Sequence, residues 1–337
     1  MKVSFLITYY NQKEYVHESI QSVLNIKKEN IEWEILVGDD GSTDGTIDEI
    51  EKYVQYDPEH IKLFVMPREE GKKYFSVQRA SQNRLNLLSH ATGDFFCTLD
   101  GDDFYSDSEF LMDAIGVFEK NPGVSIVGFG YRHYKDGVYG KSLTLPAKAN
   151  EQRVDTTTYL RFWYLPAGAC VHRRCVDKDR IEYIKQIGYF DDNDIVVNSL
   201  CFGEMYAINR SIYAYRQTGT SVYTSMDQIE QTVLNVQGYD VDCAIAPQYK
   251  EDLLYRNAYN ILMIYFKRKD LKRILGQKCE EYVRASESLG NSLLLAFMRQ
   301  DNASIEKQKC VFQRILIRKP LTTIKTFIKT RKICNES

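Results

Sequence analysis

Three carboxylates fall within four residues at Asp100-Gly101-Asp102-Asp103. They follow a short apolar run, residues 94–99 (DFFCTL), that reads as a buried parallel strand, so the acids stand at its carboxyl end. Like charges this close repel and raise one another's pKa unless something positive lies among them. A divalent cation carrying a diphosphate would serve, because hard cations take oxygen ligands, and ligands of open α/β sheets bind at that same edge. The alternative is a solvated acidic turn, with Ser106 or Asp107 capping the next helix. The segment alone leaves both open.

Three more polar clusters follow apolar runs or begin a helix. They are Thr8-Tyr9-Tyr10-Asn11, Asp39-Asp40-Gly41-Ser42-Thr43-Asp44, and Asp191-Asp192. Each by itself is ordinary turn chemistry. Their recurrence on one edge of one sheet is what points to a site.

The elements that must position them alternate. Strands are expected over residues 3–8, 33–37, 61–65 and 94–99. Helices are expected over residues 13–26, from Ile47 to Val54, over 76–90, and on the face Phe110, Leu111, Ala114, Ile115 and Phe118. Asn121-Pro122-Gly123 ends the last of these. Such alternation argues an α/β fold, a mostly parallel sheet flanked by helices. Residues 124–134 and 206–216 look strand-like, with a hairpin turn at Asp136-Gly137. Residues 191–202 read as a helix opened by acids and closed by Gly203. From about Met226 onward the pattern is helical.

The 337 residues exceed what one small core needs, and the net charge of −2 is unevenly spread. Nine basic residues and no acidic one lie between Lys307 and Lys332, which leaves 35 basic against 45 acidic residues over 1–306. Within that tail Val311, Phe312, Ile315 and Leu316, then Leu321, Ile324, Phe327 and Ile328, recur at helical spacing around Pro320. A basic amphipathic helix fits a membrane surface; a helix whose cations face the acidic body fits as well. Nucleic acid is not expected, since the basic run lacks interleaved readout motifs. The eight cysteines form no C-x-x-C pair and read as reduced thiols, and the five histidines show no metal-like spacing. With no signal segment and no apolar run near 20 residues, the expected location is cytoplasmic, peripheral on the inner face of the plasma membrane if the tail binds lipid.

VSFLITYYN, GDDGSTDGT, ATGDFFCTLDGDDFY and YFDDNDIVVNSLCFG, in that order and at these separations, resemble family 2 glycosyltransferases of the GT-A (Rossmann-like) fold. The resemblance covers residues 1–223, a nucleotide-sugar half over about 1–105 and an acceptor half over about 106–223, leaving 224–337 as a helical C-terminal region. It implies an inverting transfer from a nucleotide-sugar, UDP being the commonest nucleotide, to a saccharide acceptor, lipid-linked if the tail is a membrane helix. It also implies bacterial polysaccharide synthesis.

The resemblance also assigns residues. Thr8, Tyr10 and Asn11 would form the T-x-Y-N turn, with Tyr10 stacking on the base. Asp39 would accept a base N–H, Asp40 would orient the turn or meet ribose, and Asp44 would cap a helix. Asp100, Gly101 and Asp102 would be the D-x-D, with Asp102 binding Mn²⁺ or Mg²⁺ and Asp100 reaching ribose or a metal-bound water. Arg79 and Arg84 would meet the diphosphate. Asp191 and Asp192 would be the acidic pair, with Asp192 the general base, although acids there also suit a helix N-terminus. Arg216 would be the arginine after the last strand, but the histidine two residues on is Thr218 here. Leu165 to Cys170 would lie under the acceptor, their small residues allowing either a sugar ring or tight packing. Two rival functions meet obstacles in the residues. A sugar nucleotidyltransferase would want a Gly-rich basic loop after the first strand, and TYYNQKEY is not one. A non-catalytic subunit of the same fold would not need Asp102 and Asp192.

Overall fold

The structure, a computed structural model, describes residues 1–69, 71, 72, 74, 76–146, 150–219 and 226–267. The expected boundary at 223/224 and the basic tail over 307–332 lie outside the described residues. The chain divides into two compact units, the first running Met1–Tyr159 and Trp163–Ser221.

In chain order the first unit carries β1 (Lys2–Tyr9), α1 (Val16–Leu24), β2 (Glu32–Asp39), α2 (Thr46–Tyr56), β3 (Ile61–Val65), α3 (Ser76–His90), β4 (Phe95–Asp100), β5 (Phe104–Tyr105) and α4 (Phe110–Lys120). It continues with β6 (Val124–Lys135), β7 (Val138–Leu143), β8 (Gln152–Val154), α5 (Thr156–Phe162), whose last residues belong to the second unit, β9 (Cys170–Arg173), α6 (Lys178–Ile187), α7 (Asp192–Leu200) and β10 (Glu204–Arg216). The second unit's described helices are α8 (Gln228–Ile245) and α9 (Lys250–Lys267), with Val233, Val236, Leu253 and Leu254 buried.

One sheet runs in the order β3-β2-β1-β4-β9-β6-β10-β5, with β7 on β6 and β8 on β10. The four strands β3, β2, β1 and β4 are parallel. Helices cover both of their faces, so β1 reads as a nearly continuous apolar run with Val3, Phe5, Leu6 and Ile7 buried. Beyond β4 the sheet turns mixed: β9 is antiparallel to β4 and β6, and β10 returns parallel to β6. The two-residue link between β6 and β7 makes that pair an antiparallel hairpin, as so short a connection must, and β5 pairs antiparallel with β10.

Register sets the working edge. Thr8 lies level with Gly38 on one side and Asp100 on the other, and Tyr9 with Asp39. The loops after β1, β2 and β4 therefore leave the sheet at one height. They are laced together there: Asn11 N–H donates to Ser42 Oγ at 2.8 Å, Thr43 N–H to Asn11 Oδ1 at 2.9 Å, Gln12 N–H to Thr46 Oγ1 at 2.9 Å, and Lys13 N–H to Asp44 Oδ2 at 3.1 Å. Asn11 takes a positive φ of 51° to do so, which Asn tolerates better than most residues. Asp44 also accepts from Thr46 N–H at 3.0 Å, from one residue before the N-cap of α2, which is Gly45 and not Asp44 as expected.

Glycines let the layers close. Gly101 is buried and its α-carbon faces the Tyr9 ring, where a Cβ would come within 2.1 Å of Tyr9 Cδ1. Gly116, inside α4, has open space where its Cβ would stand. Gly101→Ala should therefore lower stability by about 1–3 kcal/mol through forced repacking. Gly116→Ala should raise it by about 0.5–1 kcal/mol by restricting the unfolded chain. Chemical denaturation of the two variants beside the wild type measures both, with opposite signs expected.

Candidate active site

β4 ends at Asp100, and the chain turns tightly, with Asp103 N–H donating to the Asp100 carbonyl at 2.9 Å. Asp100 Oδ1 accepts from Thr8 Oγ1 at 3.2 Å and from Arg84 Nη2 at 2.8 Å. The other arm of the same guanidinium, Nη1, donates to Asp191 Oδ1 at 2.8 Å. One arginine thus joins two acidic clusters that are far apart in sequence. Burial disfavours its charge, but Asp100, Asp191 and Asp192 outweigh that, and its pKa stands well above the usual arginine value. Arg84 is delivered by α3. Asn83 Nδ2 bonds the Gly38 carbonyl at 2.9 Å, and a Cβ on Gly38 would strike Asn83 Oδ1 at 2.1 Å, so the glycine lets α3 seat on β2.

Asp191 caps α7 in a reciprocal box with Asp194, whose Oδ2 accepts the Asp191 N–H at 2.8 Å. Asp192 is the first residue of α7 and half-buried. Burial and the charge of Asp100 push its pKa up to about 7, against the pull of Arg84 and of the Ala167 N–H on its carboxylate. The buried turn Ala167–Ala169 therefore positions Asp192. Gly168 packs so closely on Tyr213 that a Cβ would lie 2.3 Å from its ring. All three small residues there are buried in packing beneath Asp192. His172 lies in the same layer, stacked on Phe96 at 4.8 Å and bonded to Ser199 Oγ at 3.0 Å. Burial lowers its pKa to about 4, which makes it a neutral structural histidine.

Asp102 is pushed up to about 6, first by burial and then by Asp100. Its carboxylate is touched by the Gln12 side chain, and among the described residues it has no ion-pair partner. Asp103 is fully buried. It accepts from the Tyr213 hydroxyl through Oδ2 and from the Arg216 backbone N–H through Oδ1 at 2.6 Å. Burial, then Asp102 and Asp100, raise its pKa well above the carboxylate range.

The loops after β1 and β2 form the other end of the site. Tyr10 is 44% exposed, and the Arg68 guanidinium lies 3.8 Å over its ring. Arg68 Nε donates to the Asp40 carbonyl at 2.7 Å, and Arg68 and Arg79 both pair with the Asp40 carboxylate, Arg79 through Nε at 2.5 Å. Asp39 is sealed, with its two oxygens taken by Ser42 N–H at 2.7 Å and Ser42 Oγ at 2.5 Å.

Thr8, Gly101, Asp100, Asp102, Arg84, Asp191 and Asp192 thus come together as expected, and Tyr10, Asp40 and Arg79 converge beside them. Asp39 accepts from Ser42 through each of its oxygens, and Asp40 beside it is also buried. Arg79 pairs with Asp40, and Arg84 bridges Asp100 and Asp191. Asn11 holds the loops together, and Gly101 lodges against Tyr9. No sequence motif marks Gln12, Arg68, Tyr213 or the Ala167 N–H. Only the dense tyrosines of residues 206–216 give any hint, and a strand face accounts for those.

The donor set suits a hard cation. Asp100 and Asp102 are oxygen donors in surplus negative charge, which raises the pKa of Asp102. Among the described residues no three His, Cys, Asp or Glu side chains converge to hold an ion.

Residues 4–179 match the family described as Glycosyl transferase family 2. EpsE of Bacillus subtilis (strain 168) is 34% identical over 134 residues, 38% of this chain and 42% of EpsE. The poly(ribitol-phosphate) beta-N-acetylglucosaminyltransferase TarP of Staphylococcus aureus (strain N315) is 24% identical over 220 residues, 64% of this chain and 62% of TarP. The matched stretch thus spans less than half of EpsE and less than two thirds of TarP. In fold, the chain is similar to a crystal structure of S. aureus TarS 1-349 in complex with UDP-GlcNAc. The TM-score is 0.60 with 17% identity, covering 100% of this chain and 92% of that one. With the acids of β4 and α7 drawn to one edge of a sheet of this fold, and with the family match extending over more than half its length, the chain belongs to glycosyl transferase family 2.

Proposed function

We propose that this protein is an inverting glycosyltransferase that moves a hexose or N-acetylhexosamine from a UDP-sugar to a saccharide acceptor in bacterial surface polysaccharide synthesis. The observation that carries it is the convergence of Asp100, Asp191 and Asp192 about Arg84, with Asp102 beside Asp100, a surplus of acid that a scaffold has no need to keep. The relatives are consistent with this: TarP is named for β-N-acetylglucosaminyl transfer, and the TarS structure holds UDP-GlcNAc. We place the transferase within residues 1–223 and read 224–337 as an appended helical region. Among the described residues no helix is long and apolar enough to cross a membrane, so a lipid-linked acceptor would be met through the basic tail.

The reaction needs four things of these residues. Tyr10 would stack on the base and Asp39 would accept a base N–H, while Asp40, paired with Arg68 and Arg79, would orient the turn. Asp100 and Asp102 would hold Mn²⁺ or Mg²⁺ with the donor's diphosphate, and the cation when bound would neutralise charge developing on the leaving group. Asp192 accepts the proton of the acceptor hydroxyl as its oxygen bonds to the anomeric carbon. The bond to the diphosphate oxygen breaks on the opposite face, and the nucleoside diphosphate departs with that electron pair. Arg84 holds Asp191, and so the start of α7, against Asp100, which fixes the base relative to the metal-binding acids.

Calorimetric titration with UDP, GDP and dTDP, with and without Mn²⁺, tests the assignment. Metal-dependent binding of UDP, lost in Asp102→Ala, is expected. A folded protein that binds none of the three refutes it.

The pH dependence of kcat/KM supplies a second test. A base whose pKa stands near 7 must be deprotonated to work. The rate should climb tenfold per unit on the acid side and level off above about pH 8. Asp192→Asn should cost about 10²–10⁴-fold. The same group ties stability to pH with a fixed sign. Its folded pKa lies above the unfolded value of about 3.9, so the folded protein binds the extra proton in between. Stability from this group is highest below that window and falls as pH rises through about 7. In EDTA, Asp192→Asn should therefore melt higher than wild type by a margin that grows from about pH 5 to pH 8. A margin flat with pH rules out the raised carboxyl.

A further inference from the structure

We propose that Arg216, acting with Asp103 and Tyr213, is a clasp that sets the Asp102 carboxylate for a divalent cation, and that it is not a contact to the donor diphosphate. The inference rests on the functional reading above and deepens it.

The acidic turn has two ends. On one, Asp100 belongs to β4, and Gly101 N–H donates to the Thr8 carbonyl at 2.8 Å, so the turn leaves the parallel half already anchored to β1. On the other, the chain enters β5 at Phe104, which pairs antiparallel with Ala214 of β10. Asp102 is the residue between these anchors. What holds the second end close is one carboxyl group: Asp103 takes the Tyr213 hydroxyl on Oδ2 and the Arg216 N–H on Oδ1. The Arg216 side chain then folds back over the turn, and its Nε donates to the carbonyl of Asp102 at 2.5 Å. Three bonds from β10 thus converge on two adjacent residues of the turn.

The guanidinium itself is confined. One Nη pairs with Glu18 on α1. The rings of Tyr15, Phe104 and Tyr134 stand 4.8, 5.2 and 5.1 Å from its carbon, so aromatic surface walls the group in. Its side chain is only 13% exposed. An arginine that grips a diphosphate presents a free forked edge to it. Here the edge made by Nε and one Nη is engaged by Asp102 and Glu18, and the geometry is that of a residue acting on the turn. Partners outside the ligand shell orient the ligands and change metal affinity by about 10–100-fold when removed.

Titrations with UDP and with uridine, each in Mn²⁺ and in EDTA, separate the two roles on wild type, Tyr213→Phe and Arg216→Lys. Tyr213→Phe deletes one hydroxyl and keeps the ring against Gly168, so it carries the test even where Arg216→Lys fails to fold. The clasp predicts that each variant raises the Mn²⁺ concentration needed for UDP binding about tenfold. It predicts wild-type affinity for uridine, and for UDP in EDTA. If Arg216→Lys instead weakens UDP but not uridine in EDTA, while Tyr213→Phe behaves as wild type, the arginine meets the diphosphate and the clasp is wrong. Wild-type Mn²⁺ dependence in both variants also overturns it and leaves the functional reading standing. Wild type that binds no UDP under either condition overturns both.

Discussion

The bridge from Asp100 through Arg84 to Asp191 is the constraint on which the site depends. Five carboxylates, Asp100, Asp102, Asp103, Asp191 and Asp192, crowd one edge of the sheet. Without a cation among them, burying even some of them would be prohibitive, and leaving a buried charge unpaired costs about 3–5 kcal/mol. Arg84 neutralises part of the surplus and stops there. It takes one oxygen of Asp100 and one of Asp191, and leaves Asp102 and Asp192 outside its hydrogen bonds. Burial first, and then the charge of Asp100, raises the pKa of each; under the proposed reading these are the groups that meet a metal-bound diphosphate and a hydroxyl proton.

The opposite edge of the same sheet shows what a purely structural acid looks like. Glu34 is buried on β2, and burial alone would raise its pKa. Ser4 Oγ at 2.6 Å, Thr92 N–H at 2.7 Å and Lys2 Nζ at 2.9 Å more than offset that, and its pKa is lowered. These donors come from three places in the sequence and satisfy it fully, so it pins β2 to β1 and to the turn before β4. The difference between Glu34 and Asp102 is one of partners, since both are largely removed from water.

Much of this was legible in the residues. The apolar runs of β1, β2 and β4 end in clusters of Thr, Asp and Gly, and parallel pairing leaves no other place for those clusters than one edge. The acids of β4 and α7 therefore converge as their order implies. The details that were not legible depend on who reaches whom. Asp39 and Asp40 are neighbours with the same side chain and both are buried, yet Asp39 meets Ser42 and Asp40 meets Arg68 and Arg79. Arg84 is one of several basic residues on a polar helix, and only the seat of Asn83 on Gly38 decides that its fork faces the acids. Ala167 contributes a backbone N–H, which no side-chain motif records.

Thr218 stands where the resemblance to the family implies a histidine. With an imidazole in place, a cation would have a protein nitrogen as well as carboxylate oxygens. Here Asp100 at the end of β4 and Asp102 in the turn after it remain, and no third acidic, histidine or cysteine ligand joins them among the described residues. Two donors on one short turn hold a hard cation weakly against water, since such ions demand six or more oxygens. Under the proposed reading the diphosphate supplies the missing oxygens, so cation and nucleotide affinity become one linked quantity, each raising the other by the same factor. The site then binds metal firmly only when a donor is present. That makes the setting of Asp102, between the anchor on β1 and the anchor on β10, matter more than it would in a site with a third protein ligand.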